Sequence, residues 1–234
     1  YIMKIDKTYV INLEHRTDRR EKMVEQLKRV GIYDYEIFKA IRPTPEEVYL
    51  WNPKFVSPVP NWLSSNNTDM DKYRIGALGC LKSHLAIIKE ALDKGYENIM
   101  ILEDDTEFLI DMKFKDMLRH LKPQTDIVED HDYGILYLAG NHNGGQVKKI
   151  SGNISFVQGT LTTGSYIISK KGMELMVKQI NYFEREIDVY YAYILQLQLK
   201  CFCFTPHITK QGVGFSDILQ RDVSYPLQQT IKQT

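Results

Sequence analysis

The stretch Ile99-Met100-Ile101-Leu102-Glu103-Asp104-Asp105 is the most informative segment for the fold of this chain. Four consecutive apolar residues are typical of a strand that is buried on both faces, as the strands of α/β sheets are. Acidic residues at the carboxyl end of such a strand lie where open α/β sheets bind their ligands. The sequence therefore predicts an α/β domain with negative charge concentrated at one strand tip.

The three acids at this tip allow two interpretations. Side chains alternate along a strand, so Glu103 and Asp105 would point to one side and Asp104 to the other. A pair of carboxylates on one side suits a hard divalent cation such as Mg²⁺ or Mn²⁺. In the alternative, the acids form a turn in which Asp104 or Asp105 caps the next segment. These residues alone leave both interpretations open.

The composition is that of an ordinary globular protein. The 234 residues carry 30 basic and 30 acidic side chains, so bulk charge gives no reason to expect nucleic acid or a membrane surface as a partner. No apolar stretch of the sequence reaches the length of a membrane span, and the first residues lack a signal-peptide layout. Of the three cysteines, Cys201 and Cys203 alternate on a strand with both thiols on one face. A zinc site would need further Cys or His ligands at short spacing, which the sequence does not show, so buried core thiols are expected, and nothing implies a disulfide framework. We therefore expect a soluble, cytoplasmic domain, with its oligomeric state open.

Hydrophobic periodicity predicts strands and helices in alternation along the chain. Strands are expected at residues 8–13, 35–40, 99–102, 134–138, 154–157, 165–168 and around Cys203. Helices are expected from Asp18 to Val30, over about 76–94, 111–121 and 186–197, and after a cap at Ser169. This alternation is typical of a three-layer α/β domain.

Three local features add detail to this plan. Asp18 and Glu21 are spaced like a capping box at the start of the first helix. Residues 42–73 hold five of the eight prolines and both tryptophans, which favours a long, partly ordered binding loop. Residues 207–234 are expected to form an irregular tail.

Several common motifs are missing, which disfavours three classes of enzyme. The sequence has no GxGxxG after a strand, no Walker lysine loop and no GxSxG elbow, so dinucleotide binding, kinase-like chemistry and serine hydrolysis are poorly supported. Arg16, Arg19 and Arg20 open the first helix, where arginines and free amides suit phosphate or a nucleotide. The alternative is a solvated helix start.

Five segments of the sequence resemble glycosyltransferase family 25, which includes bacterial lipooligosaccharide galactosyltransferases and collagen galactosyltransferases. In family order they are Tyr9–Arg20, Ile75–Leu85 with Ile101–Asp105, Thr163–Gly172, Ile187–Tyr190, and Gln211 with Ser216–Ile218. The resemblance covers nearly the whole chain and implies a single domain over residues 1–234. It implies a GT-A-type three-layer α/β/α nucleotide-sugar-binding fold with a mixed, mostly parallel sheet.

The same resemblance implies a function. It is metal-dependent, inverting transfer of galactose or glucose from a UDP-sugar to a hydroxyl of a glycan or of a hydroxylysine-type, collagen-like acceptor. Mn²⁺ or Mg²⁺ would be held by Glu103 and Asp105, with His207 as a further candidate ligand. Asp188 would be the general base that inversion requires, although it also reads as an acid at a helix N-terminus. Residues expected to contact the donor are Asn12, Arg16, Asp18, Arg19, Ser83, His84, Asp104, Thr163 and Gly164. His84 reads equally well as a buried helix histidine that is hydrogen-bonded to the backbone.

Two other functions compete with this one. A sugar-nucleotide pyrophosphorylase would be expected to have a glycine-rich, basic loop after the first strand, but residues 12–20 contain no glycine. A non-catalytic nucleotide-sugar-binding or adhesion module of the same fold would be expected to lose the acidic triplet, which is intact here.

Overall fold

The computed structural model of the protein describes residues 1–51, 68–142, 144–180 and 185–224. The helices are α1 (Thr17–Val30), α2 (Pro45–Trp51), α3 (Met70–Asp93), α4 (Phe114–His120), α5 (Lys122–Asp130), α6 (Lys170–Gln179), α7 (Ile187–Tyr190), a π-helical segment (Tyr191–Leu195) and α8 (Gln196–Gln198). The first strands are β1 (Lys7–Asn12), β2 (Tyr35–Lys39), β3 (Asn98–Glu103), β4 (Thr106–Phe108), β5 (Ile135–Tyr137) and β6 (Gln146–Lys149). The later strands are β7 (Ile154–Gln158), β8 (Ser165–Ser169), β9 (Cys201–Phe204), β10 (Thr209–Gln211), β11 (Gly214–Ser216) and β12 (Arg221–Val223).

The centre of the fold is an eight-stranded mixed sheet with the order β2-β1-β3-β8-β5-β9-β7-β6. Among the described strands of this sheet, β1 pairs in parallel with β2 and β3, and β5 with β9. The other four neighbouring pairs are antiparallel. The expectation of a mixed sheet is confirmed, but the expectation that it is mostly parallel is wrong. Periodicity identifies a strand without giving its direction, which depends on partners distant in sequence.

Helices cover both faces of the sheet, so the predicted three-layer α/β/α arrangement is confirmed. The side chains of β3 alternate between two cores, as a strand buried on both faces requires. Ile99 and Ile101 pack in the core that contains α3 and α6, whereas Met100 and Leu102 pack in the core that contains α1 and α4. All four side chains are at most 1% exposed.

Part of the predicted loop over residues 42–73 is helical. Thr44 and Glu47 form a capping box at the start of α2, because Thr44 Oγ1 accepts from the Glu47 N–H and the Glu47 carboxylate accepts from the Thr44 N–H. Helix α3 begins at Met70, six residues before the expected start, and Asp69 caps it by accepting from the N–H groups of residues 71 and 72. The rest of the predicted loop, including Trp62, lies outside the described residues.

Three further expectations about local structure are corrected. Asp18 lies inside the first turn of α1 and makes no cap, since the helix begins at Thr17. The helix predicted over residues 111–121 corresponds to the shorter α4. Pro123 does not end the helical region, because proline is tolerated in the first turn of a helix and lies there in α5. The tail from residue 207 is not irregular over 209–223, where it forms three strands too short to show periodicity. Residues 225–234 of that tail lie outside the described part. Across the described ranges, no helix is both long and apolar enough to cross a membrane.

Candidate functional site

A cavity of about 1130 Å³ lies at the carboxyl ends of β1 and β3. Its wall includes Glu103, Asp104 and Asp105 at the tip of β3, together with parts of α3, the segment before β8, α7, and the segment from β10 to residue 220. The acidic tip therefore lies where ligand sites of α/β sheets are expected. Five regions that are far apart in the sequence meet at this cavity.

Glu103 is the last residue of β3 and faces the segment that leads into β8. Because β8 runs antiparallel to β3, the residues before β8 lie beside the tip of β3. The Glu103 N–H donates to the Gly164 carbonyl at 2.8 Å, and Thr163 Oγ1 donates to Glu103 Oε1 at 3.1 Å. The structure thus brings Thr163 and Gly164 to the acidic tip, and their expected contact with a donor stays a prediction.

Asp104 and Asp105 form a turn after β3, so the turn interpretation is correct for the backbone. The Asp104 carboxylate accepts from Asn12 Nδ2 at 2.7 Å and from Arg19 Nη1 at 2.9 Å. Burial raises the pKa of Asp104, and the nearby Arg19 charge and the hydrogen bonds from Arg19 and Asn12 oppose this effect. Arg19 lines the cavity itself, whereas Asn12 is not among the lining residues and contributes by holding Asp104.

Asp105 is the most electrostatically strained acid of the triplet. Its Oδ2 accepts from Gln211 Nε2 at 3.1 Å and lies 3.6 Å from Arg19 Nη1. Its Oδ1 is buried and has no hydrogen-bond partner within the described ranges. Burial, followed by the negative charge of Glu103, raises the pKa of Asp105 to about 7. A buried acid with a free oxygen is a place where a cation would be stabilised.

Sequence reasoning did not find the contact between Gln211 and Asp105. Gln211 is placed by β10, which pairs with β4 directly after the acidic turn, so that Gln211 lies opposite Thr106. The Gly212 N–H donates to the Asp105 carbonyl at 2.6 Å and fixes the same junction. No local pattern predicts this pairing between segments more than 100 residues apart.

Arg16 and Asp18 join the start of α1 to the C-terminal segment. Arg16 donates twice to Asp18 at 3.0 Å and once to Asp217 Oδ2 at 2.9 Å. The side chain of Asp18 is 60% exposed, and Asp18 is not among the residues that line the cavity. Asp18 therefore supports Arg16, which is likewise absent from the residues that line the cavity, and donor contact by either residue stays a prediction. Arg19 makes a second link to this segment by donating to the Phe215 carbonyl at 2.7 Å.

Helix α3 contributes two buried polar residues that were expected to contact the donor. Ser83 Oγ donates to the Gly79 carbonyl at 2.7 Å and accepts from the Ile41 N–H at 2.8 Å, so its hydroxyl positions the chain after β2. His84 is fully buried, with Nδ1 hydrogen-bonded to Tyr166 Oη at 2.7 Å. Its Nε2 lies 3.7 Å from Glu103 Oε1 and has no hydrogen-bond partner among the described residues. His84 is therefore buried, as one interpretation expected, but its partner is the Tyr166 side chain and not the backbone. Its Nε2 faces the acidic tip, and its contact with a donor stays a prediction.

Asp188 lies in the first turn of α7, on the cavity wall. Its carboxylate accepts from the Val189 N–H at 2.8 Å and from the Thr162 N–H at 3.4 Å. Burial, then the charges of Glu186 and Glu103, raises the pKa of Asp188 to about 6. Sequence reasoning missed Glu186 as a site residue, although it lies two residues from Asp188.

Tyr73 is another wall residue that the sequence did not identify. Its Oη donates to Glu186 Oε1 at 2.7 Å, which links α3 to the start of α7. Its ring is only 4% exposed. The only hint in the sequence was a tyrosine near the start of α3, and its partner lies 113 residues away.

His207 does not join the acidic triplet, so the structure corrects its assignment as a ligand beside Glu103 and Asp105. It is absent from the cavity wall. Its Nε2 instead lies 3.4 Å from His142 Nε2, and both rings approach Cys203. The short segment after β9 directs His207 away from the tip of β3.

Comparison with known families identifies the relationship of this chain. The family described as glycosyltransferase family 25 (LPS biosynthesis protein) matches residues 5–191, which is most of the sequence. The chain belongs to glycosyltransferase family 25.

The family 25 chain is also similar to several curated proteins. It is 27% identical to procollagen galactosyltransferase 2 of Mus musculus over 75% of this chain and 28% of that protein. It is 25% identical to procollagen galactosyltransferase 1 of Danio rerio over 87% of this chain and 36% of that protein. It thus spans about a third of the length of these relatives. A crystal structure of a glycosyltransferase involved in the glycosylation of the major capsid of PBCV-1 aligns with a TM-score of 0.41, 15% identity, and coverage of 80% of this chain and 74% of that one.

Charges of both signs line the cavity of this family member. The acids Glu103, Asp104, Asp105, Glu186, Asp188 and Asp217 and the cations Arg19, Arg42, Lys72 and Arg185 line it. The acidic tip suits a cation, and the basic side chains suit an anionic ligand. The cavity can therefore attract a negatively charged molecule at its basic side chains and a cation at the acidic tip.

Proposed function

We propose that this chain is the catalytic domain of a glycosyltransferase that moves a hexose from a UDP-sugar to an acceptor hydroxyl. The observation that carries this proposal is the convergence of the acidic tip of β3, Arg19 and Asp188 on one cavity of about 1130 Å³. The reaction needs a site for a diphosphate and a base for the acceptor, and these residues provide both types of group. Membership of family 25 supports the same reaction class.

A divalent ion, Mn²⁺ or Mg²⁺, fits the acidic tip. Glu103 and Asp105 offer carboxylate oxygens, which such ions prefer, and Asp105 Oδ1 is buried without a partner in the described part of the chain. The same acids would repel a diphosphate, so a cation between them would favour donor binding. When bound, such an ion would supply positive charge that offsets the charge developing on the leaving diphosphate.

Arg19 and Asn12 keep the tip in place for this role. Arg19 donates to Asp104 and lies near Asp105, so its guanidinium provides a fixed positive charge beside the expected diphosphate position. Asn12 orients Asp104 from the other side, which leaves Asp104 to orient the donor or bind its ribose. Thr163 holds Glu103, and the adjacent Gly164 has open space where a side chain would lie, so the donor sugar can approach the backbone.

Asp188 is our candidate for the general base. Its pKa of about 6 lets it ionise near neutral pH while it remains basic enough to accept the proton of an acceptor hydroxyl. One base opposite the leaving group is what inversion requires. The N–H groups of Val189 and Thr162 hold the carboxylate in position. His84 would lie on the donor side, with its Nε2 toward Glu103.

The named activity of the relatives guides the choice of donor and acceptor. Procollagen galactosyltransferases are similar to this chain, so we propose galactose, with glucose second, as the transferred hexose. A collagen-like hydroxylysine and a bacterial glycan remain the two acceptor classes to compare.

The deciding experiment measures UDP release from UDP-galactose, UDP-glucose and UDP-N-acetyl sugars, with Mn²⁺ or with EDTA. In parallel, UDP is expected to raise the melting temperature with Mn²⁺ more than with EDTA, because a ligand that binds only the native state stabilises it. Asp105→Asn should lose the metal-dependent increment. Glu107→Gln is the matched control, since Glu107 lies two residues away and pairs with Lys210 instead.

Three outcomes would each contradict a different part of this proposal. UDP binding without sugar transfer to any tested acceptor would favour the non-catalytic module. A full metal-dependent shift in Asp105→Asn would refute the metal assignment. Turnover at the wild-type rate in Asp188→Asn would refute the assignment of the base.

A further inference from the structure

A second group of ligating side chains lies outside the cavity. His142 follows β5, Cys203 is on β9, and His207 follows β9, and a ring nitrogen of each histidine and the Cys203 Sγ all lie within 4.8 Å of one another. Strands β5 and β9 are parallel neighbours, with Tyr137 opposite Cys203. The chain segments that leave both strands therefore emerge together at the same edge of the sheet.

The orientation of His142 is fixed by a contact behind it. Its Nδ1 is hydrogen-bonded to Thr160 Oγ1 at 2.8 Å, which leaves Nε2 directed at His207 Nε2, 3.4 Å away. Metal-ligating histidines commonly have a hydrogen-bond partner on the ring nitrogen that does not bind the metal, and this partner fixes the orientation of the ring. Gly140 makes this arrangement possible, because a Cβ there would lie 2.5 Å from Thr160 Cγ2 and 3.2 Å from His142 Cε1.

The three candidate ligands lie in a half-buried to fully buried environment. Both histidine rings are half-buried. Neutral imidazoles with free lone pairs are metal ligands. Cys203 is fully buried, with its thiol 3.4 Å from the Phe204 carbonyl.

We propose that His142, Cys203 and His207 form a binding site for Zn²⁺ or a similar divalent ion that accepts thiolate and imidazole ligands. Two nitrogens and one sulfur suit Zn²⁺ and disfavour Mg²⁺ and Mn²⁺, which prefer oxygen. This site therefore differs in chemistry from the acidic tip. On binding, the Cys203 thiol releases its proton to solvent and its sulfur bonds to the metal, with a fourth position left for water or another ligand.

The proposed metal site would affect the cavity through a neighbouring residue of the cavity wall. Asn141, next to His142, lines the cavity and pairs with Leu161 through backbone hydrogen bonds of 3.0 and 2.8 Å. Leu161 lies two residues before Thr163, whose hydroxyl donates to Glu103. A metal that ties His142 to β9 would fix the position of this wall, so we expect it to stabilise the fold and the cavity together.

The test is titration of the full chain with Co²⁺, which reports thiolate coordination by a sulfur-to-cobalt charge-transfer absorption. Wild type should show this band, and added Zn²⁺ should remove it. Cys203→Ser should lose the band. Cys201→Ser is the matched control because Cys201 lies on the same strand and in the same core, and it should keep the band.

Two further variants make the result decisive. Cys80 lies within 4.8 Å of ligand atoms of His84 and Glu103, so Cys80→Ser must keep the band if the metal is at the proposed site. His142→Gln and His207→Gln change half-buried positions and should each weaken Co²⁺ binding about tenfold or more. They provide the same readout if Cys203→Ser fails to fold.

The proposal is overturned if wild type shows no band, if Cys203→Ser keeps it, or if Cys80→Ser loses it. Circular dichroism of each variant verifies folding. The readout does not use UDP or sugar transfer, so its failure would leave the proposed glycosyltransferase function untouched.

Discussion

Replacing Asp188 by asparagine should stabilise the fold at neutral pH while it removes the proposed base. The pKa of Asp188 is raised from 3.8 to about 6 by burial and by the charges of Glu186 and Glu103. At about 1.4 kcal/mol for each unit, keeping Asp188 ionised costs the folded state roughly 3 kcal/mol at pH 7.5. Asparagine carries no charge and avoids this cost.

Asparagine keeps most of the local hydrogen bonding. Its carbonyl oxygen can still accept from the Val189 N–H, whereas the 3.4 Å bond from the Thr162 N–H is lost. That loss costs about 1 kcal/mol, which leaves a net gain of about 2 kcal/mol. For a chain of this size, the gain corresponds to a rise in melting temperature of roughly 4–8 °C.

The sign of the pH dependence is fixed by proton binding. Between pH 3.8 and about 6, the folded wild type binds more protons at Asp188 than the unfolded chain does. Wild-type stability is therefore lost as the pH rises through this window, and the stability of the asparagine variant is not. The advantage of the variant should shrink by about 2 kcal/mol between pH 7.5 and pH 4.5.

The assay is thermal unfolding of both proteins at pH 7.5 and pH 4.5. Asp111→Asn is the control, because it removes an equal charge from an exposed position. Asp188→Asn should be the more stable protein at pH 7.5 and close to wild type at pH 4.5. Equal stabilisation at both pH values, or none at pH 7.5, would refute the argument that the Asp188 charge is strained.

Three further predictions concern α3 and the proposed base. Gly79→Ala should destabilise the protein by more than about 1 kcal/mol, despite the better helix propensity of alanine, because the new Cβ would lie 2.5 Å from the Ile41 carbonyl oxygen. Ser83→Ala should lower the free energy of unfolding by about 1–3 kcal/mol, because the Ile41 N–H loses its acceptor. Ser151→Ala is the control and should cost less, because it removes a buried hydroxyl that has no partner among the described residues. Urea denaturation measures the free energy of unfolding of both variants. The rate of sugar transfer should fall as the pH drops below about 6, where Asp188 is protonated; a rate that is flat from pH 5 to pH 7.5 would contradict its role as base.

The sequence was a good guide to features that depend on neighbouring residues. The apolar run before Glu103 predicted a doubly buried strand, because such a strand needs apolar side chains on both faces. The same local information misjudged the start of α1, where Arg16 pairs with Asp18 and leaves no cap. It also missed the capping box of Thr44 and Glu47, although the pattern was present.

The sequence by itself determined the α/β class, the acidic tip and the family, because these depend on periodicity and on short segments in a fixed order. Only the tertiary structure decided strand direction, and with it the contacts around the tip. The antiparallel entry of β8 brings Thr163 to Glu103, and the pairing of β10 with β4 brings Gln211 to Asp105. The same long-range packing separated His207 from the tip and placed it beside His142. Pairings between segments tens of residues apart are set by burial and backbone hydrogen bonding over the whole sheet, which no local pattern encodes.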